Sequence, residues 1–253
     1  MTTKREQINS APYHFLKHFV YHTEVVRPNS YANKTEYVDG LAQALTAEEC
    51  TFLSEAAAAN REPESVSNEF LEHHRPKEAT VRDHFVEYLR REHMTNPDDE
   101  ALFFEFPIAG QRADVNRVNG ESYTYELKSP RDDDSRLAAQ LEAYQQVFDY
   151  VTVVVPADSK LVDAELPQVI GLVTFEYPSF EFEVARSPLQ ATDHAPREQL
   201  KRLRKDELRE LLEPTPSHDT RKQALVDRAN EELDASTIDR AFKRALKRRY
   251  SGL

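Results

Sequence analysis

Residues 112–130 read RADVNRVNGESYTYELKSP, and the pattern within this stretch decides the fold. From residue 112 to residue 128, polar side chains recur at every second position on both sides of an Asn-Gly pair, and most positions between them are apolar. Successive side chains of a strand point to opposite faces of a sheet, and Asn-Gly is a strong signal for a tight turn. The stretch therefore predicts a β-hairpin with one polar face and one face that packs against a core.

The length of the turn determines which side chains of the hairpin lie side by side. A two-residue turn would place Asp114 and Glu126 on opposite faces and would mix polar with apolar residues. A three-residue loop over residues 118–120, with its glycine in the left-handed conformation, pairs Arg117 with Glu121 and separates the two kinds of residue. In that register Asp114 and Glu126 are diagonal neighbours on one face, about 7–8 Å apart at the backbone. We predict the three-residue loop because the hydrophobic pattern selects it.

The polar face of this hairpin carries the residues of a candidate metal site. Two carboxylates on adjacent strands, Asp114 and Glu126, form with a main-chain carbonyl and waters a hard oxygen site that suits Mg²⁺ or Mn²⁺. Lys128 emerges on the same face, where its ammonium group can orient a water and neutralise the charge of a phosphate. This arrangement points to metal-assisted hydrolysis of a phosphodiester. The alternative is a solvated hairpin face with cross-strand ion pairs.

The elements around the hairpin follow an α/β order. A helix with Val81 and Phe85 on one face precedes three strands, and a second helix and an aliphatic strand follow them. A further hairpin and a helical tail complete the pattern. We therefore expect an α/β protein with three regions. They are a helical N-terminal extension (residues 1–76), a core (residues 77–190) and a basic helical C-terminal region (residues 197–253).

This combination resembles the PD-(D/E)XK phosphodiesterase superfamily, whose members include restriction enzymes, RecB-type exonucleases and Holliday-junction resolvases. The resemblance rests on Asp114 and on Glu126-x-Lys128 in the next strand, within the order α-β-β-β-α-β. Ala113 stands where the superfamily name has proline. The resemblance covers about residues 77–156. It implies a restriction-endonuclease-like core, Mg²⁺ or Mn²⁺ as the cofactor, and nuclease activity on DNA.

Two further features extend the resemblance. The RecB-like branch has a Gln-x-x-x-Tyr motif in the helix after the third strand, and this chain has Gln140 and Tyr144 there, one helical turn apart. The superfamily also often adds an acid from the first helix. Glu78 is our choice for that acid, and Glu105 on the first strand is its competitor. The predicted catalytic residues are Asp114, Glu126, Lys128, Gln140 and Tyr144, and the predicted metal ligands are Asp114, Glu126 and Glu78.

The charge of the chain is unevenly distributed. The whole chain has 33 Lys and Arg against 45 Asp and Glu, a net charge of −12, whereas basic residues are in excess from residue 197 onward. The basic residues near the end either contact nucleic-acid phosphates or form the solvated face of a helix that docks on its own core. The predicted nucleic-acid contacts are Lys243, Arg244, Lys247 and Arg248.

Other features of the sequence limit the partners and the compartment. Cys50 is the single cysteine, which excludes internal disulfides. The apolar runs are far shorter than the ~20 residues of a membrane helix. The five glycines form no phosphate-binding loop, so we expect no nucleotide cofactor. We expect a cytoplasmic protein whose partner is DNA, together with a protein partner or a second copy of the chain.

Residues 1–76 carry no family resemblance. His14, His18 and His22 recur every four residues, a spacing that one helix would align. No carboxylate stands at a matching spacing, and we assign these histidines no metal. The segment is left with three roles: it covers the site, binds a partner or dimerises.

The sequence as a whole predicts a Mg²⁺-dependent deoxyribonuclease in DNA repair, restriction or phage defence. The alternative is a catalytically idle or partner-triggered module with a nuclease fold that binds DNA or acts as a scaffold. Substitution of Asp114 or Lys128 separates the two, because it abolishes the function of an enzyme and leaves the binding of a scaffold intact.

Overall fold

A computed structural model of the chain divides it into two compact units, Met1–Lys77 and Glu78–Leu253. No helix among the described residues is long and apolar enough to cross a membrane. The described residues are 2–26, 31–75, 77–94, 96, 99–129, 134–192 and 194–251.

The N-terminal unit is built from short helices around an aromatic core. Thr46 and Glu49 form a capping box at the start of the fourth helix, with side-chain to backbone distances of 3.2 and 2.7 Å, which satisfies two backbone donors at the helix end. Buried Glu49 also forms an ion pair with Arg75 at 2.8 Å. The rings of Phe19 and Phe70 pack 4.8 Å apart in the core. The helices are α1 (Lys4–Asn9), α2 (Tyr13–Thr23), α3 (Lys34–Ala44), α4 (Ala47–Ala58) and α5 (Pro63–His73).

A six-stranded mixed sheet forms the centre of the second unit, and its strands lie side by side in chain order. The first three strands are antiparallel, the third to the fifth are parallel, and the sixth returns antiparallel to the fifth. Parallel neighbours need a crossover connection, and the first crossover contains helix α7 (Leu137–Gln145). The strands are β1 (Ala101–Ile108), β2 (Gln111–Val118), β3 (Ser122–Leu127), β4 (Tyr150–Pro156), β5 (Gly171–Glu176) and β6 (Glu181–Arg186).

Helices cover both faces of this sheet. Helix α6 (Glu78–Glu92) buries Val81 and Phe85 against Val115 and Tyr125 of the hairpin, as its sequence pattern predicts. Helix α7 and the C-terminal helices pack against the opposite face. Strand β4 is buried on both faces because it lies between these layers. The C-terminal helices are α8 (Pro196–Arg202), α9 (Lys205–Glu210), α10 (Lys222–Glu232) and α11 (Ala235–Tyr250).

The C-terminal helices share one hydrophobic core with the sheet. Leu200 of α8 and Phe242 of α11 are buried together with Phe106 of β1 and Phe148. The ring centroid of Phe242 lies 6.4 Å from that of Phe106 and 6.2 Å from that of Phe148. Helices α8 to α11 are thus packed into the second unit.

We expect Phe242→Ala to destabilise the second unit strongly. The ring is fully buried, and deleting a buried phenylalanine side chain costs about 3–5 kcal/mol. Urea unfolding followed by circular dichroism measures the change in the free energy of unfolding. The matched control is Arg244→Ala at an exposed position of the same helix, for which we expect a change below about 0.5 kcal/mol. Equal losses in the two variants would contradict this packing.

The predicted register of the β2–β3 hairpin is wrong by two residues. Arg117 pairs with Tyr123 rather than with Glu121, so the three-residue loop covers residues 119–121. Gly120 has a φ of +118°, the positive value predicted for the loop glycine. A shift of two residues by itself leaves the faces unchanged, because the side chains of a strand alternate with a period of two. The predicted alternation nevertheless breaks at Asp114, because Ala113 packs with α7 and Val115 packs with α6 on the other side of the sheet.

Contacts that an alternating pattern does not reveal favour the observed register. The guanidinium carbon of Arg117 lies 4.3 Å from the ring centroid of Tyr123, a cation–π contact. On the other face, the Thr124 hydroxyl donates to the side-chain oxygen of buried Asn116 at 2.9 Å. The hydrophobic pattern is the same in both registers, so these side-chain pairs decide between them.

Candidate functional site

The two predicted carboxylates of the hairpin meet at one end of β2 and β3. The paired residues of β2 and β3 end at Val115 and Tyr125, and Asp114 and Glu126 are the next residues of the two strands and line the same cavity. Their residues are only 8% and 2% exposed. Asp114 accepts a hydrogen bond from the backbone N–H of Leu127 at 2.8 Å. This bond fixes the Asp114 carboxylate beside β3.

Four of the predicted residues form one connected hydrogen-bond network. Lys128 donates to one oxygen of Glu126 at 2.9 Å and to the side-chain oxygen of Gln140 at 3.2 Å. The Tyr144 hydroxyl lies 2.7 Å from the other Glu126 oxygen and 2.8 Å from the carbonyl oxygen of Arg112. Burial, reinforced by the charge of Glu126, raises the pKa of Tyr144 well above its ordinary value, so the hydroxyl keeps its proton and donates it. The structure thus brings the two sequence motifs into contact.

Two further carboxylates approach Asp114. Glu78 at the start of α6, Glu105 of β1 and Asp114 each offer one oxygen, and these oxygens lie within 4.8 Å of one another. Glu105 has a φ of 55°, a left-handed value that few residues other than glycine adopt. It also forms ion pairs with Arg82, at 3.3 Å, and with Arg112. From the sequence, Glu105 and Glu78 compete as the additional acid of the metal site. The structure brings both acids close to Asp114.

The crowding of acids changes the ionisation of Asp114. Burial is the largest cause, the charges of Glu126 and Glu78 add to it, and together they raise the pKa of Asp114 to about 8. The hydrogen bond from Leu127 and the charge of Lys128 act in the opposite direction. Without a cation the folded protein therefore holds a proton on this carboxyl group at neutral pH.

The raised pKa of Asp114 predicts how stability depends on pH. An unfolded aspartate titrates near pH 4, so from roughly pH 4 to pH 8 the folded state binds one more proton than the unfolded state, and stability falls as the pH rises. We expect Asp114→Asn to flatten the fall in melting temperature of chelator-treated protein over this range. Thermal unfolding of wild type, Asp114→Asn and the exposed control Asp158→Asn measures the effect. Parallel curves for the wild type and Asp114→Asn would contradict the assignment.

Glu78, Asp114, Glu126, Lys128 and Gln140 line a cavity of about 530 Å³ in the second unit, and Glu105 approaches two of them. Its walls also include Arg112 and Arg136, which the sequence analysis did not select. Both arginines are exposed, and a guanidinium group suits the bidentate binding of a phosphate. The position of Arg112 on the polar face of the hairpin was an available signal, whereas Arg136 lies just before α7 and belongs to no motif. The cavity is therefore lined by the buried acids Asp114 and Glu126, by the less buried Glu78 and by two exposed guanidinium groups.

The acids of this cavity fit a divalent cation. Glu78, Glu105 and Asp114 offer oxygens close enough to share one ion, and Mg²⁺ and Mn²⁺ prefer such hard ligands. A cation would also relieve the repulsion that contributes to the raised pKa of Asp114. Both oxygens of Glu126 accept hydrogen bonds from side chains of the protein. The carboxylates that can share one ion are therefore the predicted ligands Glu78 and Asp114, together with Glu105. Glu126, the third predicted ligand, lines the same cavity.

Lys243, the first of the predicted nucleic-acid contacts, is part of a partly buried ion-pair cluster. Its ammonium nitrogen lies 2.7 Å from Asp149, 2.8 Å from Asp239 and 3.2 Å from Glu121. Burial by itself raises the pKa of Asp149, but hydrogen bonds from Lys243 and Ser122 outweigh it and lower that pKa. The charge of Lys243 is thus already balanced within the protein, which links α11 to the sheet.

The other three predicted contacts lie nearer the surface. Lys247 pairs with Asp99 at 2.6 Å, and Arg248 pairs with Glu210 at 2.9 Å between groups that are more than half exposed. Arg244 is exposed on the same helix. Exposed ion pairs contribute little free energy and exchange easily for other partners. A role of this surface in nucleic-acid binding stays a prediction, and the geometry favours Arg244 over Lys243.

The chain is thus a mixed α/β protein whose second unit carries a buried group of carboxylates joined to a lysine. The family model of bacteriophage P4 protein cII matches residues 72–252, and the chain belongs to this family. The matched residues include the whole candidate site. No curated protein matches the chain. A solved structure of a protein of unknown function from Silicibacter pomeroyi is similar, with 19% identity, a TM-score of 0.37, and 63% of this chain and 97% of that chain covered.

Proposed function

We propose that the protein is a metal-dependent phosphodiesterase that hydrolyses DNA, and that its second unit has the restriction-endonuclease-like core which its sequence resembles. The element order α6-β1-β2-β3-α7-β4 supports the fold. The observation that carries the function is the meeting of Asp114 of β2 and Glu126 of β3 in one cavity, with the Lys128 ammonium 2.9 Å from Glu126. A solvated hairpin face would leave these residues exposed, whereas here all three are buried.

In this proposal the side chains of the network have separate roles. A divalent cation held by the carboxylates would supply Lewis-acid chemistry and lower the pKa of a water. Lys128 positions the attacking water and neutralises charge on the phosphate. Gln140 holds the Lys128 ammonium, and Tyr144 holds the Glu126 carboxylate. Partners of this kind orient the groups that bind a metal.

The charges around the cavity support a nucleic acid as the substrate. Arg112 and Arg136 line the cavity and are exposed, so they can pair with phosphate oxygens of a strand that enters it. Arg244 offers a further exposed cation on α11. DNA rather than RNA is proposed from the sequence resemblance to DNA-cleaving enzymes.

The second candidate function is a catalytically idle or partner-triggered nuclease fold that binds DNA or acts as a scaffold. The observation that favours it is the state of Glu126, whose two oxygens are both engaged by Lys128 and Tyr144. Each oxygen keeps a second lone pair, but a cation at Glu126 would compete with the Lys128 ammonium for the same carboxylate. Bound DNA, a protein partner or a second copy of the chain could relieve that competition.

The test is a cleavage assay on supercoiled, linear duplex and single-stranded DNA with Mg²⁺ or Mn²⁺. We expect metal-dependent cleavage by the wild type and by Lys160→Ala, a control at an exposed loop position, strongly reduced cleavage by Lys128→Ala, and no cleavage in the presence of a chelator. Cleavage of the supercoiled form would show that no free end is needed. Failure to cleave any of these substrates, with DNA binding intact, would overturn the enzyme and favour the second candidate.

A further inference from the structure

The N-terminal unit has a cavity of its own, of about 620 Å³, next to helix α2. Aromatic rings make up most of its walls, accompanied by one amine and by imidazole groups. No carboxylate is among the described residues that line it, although acids outnumber bases in the chain. Six of the lining residues bear on the identity of a ligand: Tyr13, Lys17, His18, Tyr21, Tyr31 and Tyr37.

The spacing of residues along α2 builds one wall of this cavity. Tyr13, Lys17 and Tyr21 follow one another at intervals of four, so they lie on one face of the helix. Tyr21 is 68% exposed and Tyr13 is 39% exposed. These two large rings therefore contribute little to the hydrophobic core of the unit and remain accessible to a ligand.

Tyr31 and Tyr37 build the other wall, and a glycine makes room for them. The ring centroids of these two tyrosines lie 5.2 Å apart. Gly40 lies inside α3, where a glycine disfavours the helix. A Cβ atom at Gly40 would come within 2.3 Å of the Tyr31 hydroxyl oxygen. The missing side chain thus allows the Tyr31 ring to pack close to α3.

One polar atom of this wall has no partner. The Nδ1 atom of His18 is buried and has no hydrogen-bond partner among the described residues. Buried polar atoms are nearly always paired with protein, water or a ligand. The His18 ring stacks on His22 at a centroid distance of 4.1 Å, which fixes its orientation. This nitrogen has almost no accessible surface, so a ligand in the cavity meets the ring of His18 and not its Nδ1 atom.

We propose that this cavity binds a nucleotide, with its base against the tyrosine rings and its phosphate near Lys17. Stacking on aromatic side chains next to a basic group is how proteins hold unpaired nucleotides. The amine of Lys17 and the lack of a lining carboxylate disfavour a cationic ligand, which an aromatic pocket would otherwise suit. The ligand is either an unpaired nucleotide of a DNA strand or a free nucleotide, since both carry this chemistry. The inference does not depend on the proposed nuclease.

Tyrosine fluorescence tests this site directly, because the chain has 11 tyrosines and no tryptophan. The full chain in a chelating buffer, in which metal-dependent cleavage cannot occur, is titrated with oligothymidylate, duplex DNA of equal length, thymidine monophosphate and inorganic phosphate. We expect saturable quenching by the single strand, the monophosphate or both, and none by inorganic phosphate. Tighter binding of the single strand identifies a DNA strand as the ligand, and equal affinities identify a free nucleotide.

Variants of the wall residues connect the signal to the cavity. We expect Tyr21→Ala to weaken binding by at least about fivefold, as for the loss of one stacking ring. We expect Lys17→Ala to weaken binding and, if the ligand is a DNA strand, to lower the slope of log affinity against log salt by about 0.7, the value for one phosphate contact. Lys160→Ala is the control for charge. Absence of saturable quenching by any nucleotide, equal quenching by duplex DNA, or unchanged binding in both wall variants would overturn the proposal.

Discussion

Lys128→Ala should reduce the rate of DNA cleavage by about 10²–10³-fold at saturating metal, the effect expected for the loss of one group that stabilises developing charge. The Lys128 ammonium is buried and held between Glu126 and Gln140. No other cation is hydrogen-bonded to Glu126 among the described residues, so a neighbour cannot replace it. The measurement is the single-turnover cleavage rate of wild type and variant on the same duplex.

The control for this prediction separates chemistry from folding. Removal of Lys128 leaves a buried carboxylate without its cationic partner, which by itself destabilises a protein. The melting temperature and the affinity for DNA are therefore measured on the same preparations, and Lys128→Met supplies a variant of similar length. A folded Lys128 variant that binds DNA and cleaves at the wild-type rate would remove Lys128 from the chemistry.

Glu126→Gln should abolish cleavage, with a loss of more than about 10³-fold, because a carboxylate that binds a catalytic cation is worth several kcal/mol. The substitution keeps the shape of the side chain and removes its charge. It lowers the charge repulsion on Asp114, but it also leaves the buried Lys128 ammonium without its carboxylate partner, which destabilises a protein, so the melting temperature of the chelated variant is measured beside its cleavage rate.

A matched variant distinguishes the charge of Glu126 from its orientation. Tyr144→Phe keeps the carboxylate and removes the hydroxyl that lies 2.7 Å from it. We expect a loss of about 10–100-fold, as is usual when a residue that supports a metal ligand is changed. Metal titrations of the cleavage rate in both variants measure this difference. Equal losses in Glu126→Gln and Tyr144→Phe would show that orientation alone explains the effect.

The local patterns of the sequence were sufficient to predict which residues form the network. A period of two predicts Asp114, Glu126 and Lys128 on one face whichever of the two three-residue loops forms, although the alternation breaks at Asp114 in the structure. A spacing of four in α7 places Gln140 and Tyr144 together. These five residues could be predicted because each relation lies within one strand, one helix or one hairpin.

The exact register could not be predicted, because it depends on contacts that leave no periodic signal. The pairs Arg117–Tyr123 and Asn116–Thr124 form in one register only. The position of the Glu105 side chain could not be predicted either, because the left-handed backbone at that residue interrupts an otherwise regular strand. A regular alternation gives no warning of such an interruption.

Contacts between residues that lie far apart in the chain could not be predicted from the sequence either. Lys243 appeared as a surface cation of a basic helix, and its pairing with Asp149 depends on how α11 docks on the sheet. The histidine spacing in α2 appeared as a metal motif without a carboxylate. The tyrosines interleaved with those histidines, and Tyr31 and Tyr37 from outside α2, form the cavity wall that gives this spacing a different meaning.

The most direct measurement is a calorimetric titration of the metal-free protein with Mn²⁺, on the wild type and on Asp114→Ala. Asp114 lines the same cavity as Glu126 and is close to Glu78 and Glu105, so every proposed arrangement of the cation includes it. We expect at least one ion bound per wild-type chain, accompanied by proton release near neutral pH, and loss of that binding in Asp114→Ala. Binding of the same strength in the two proteins, or no binding by the wild type with DNA present, would contradict a metal site at the hairpin.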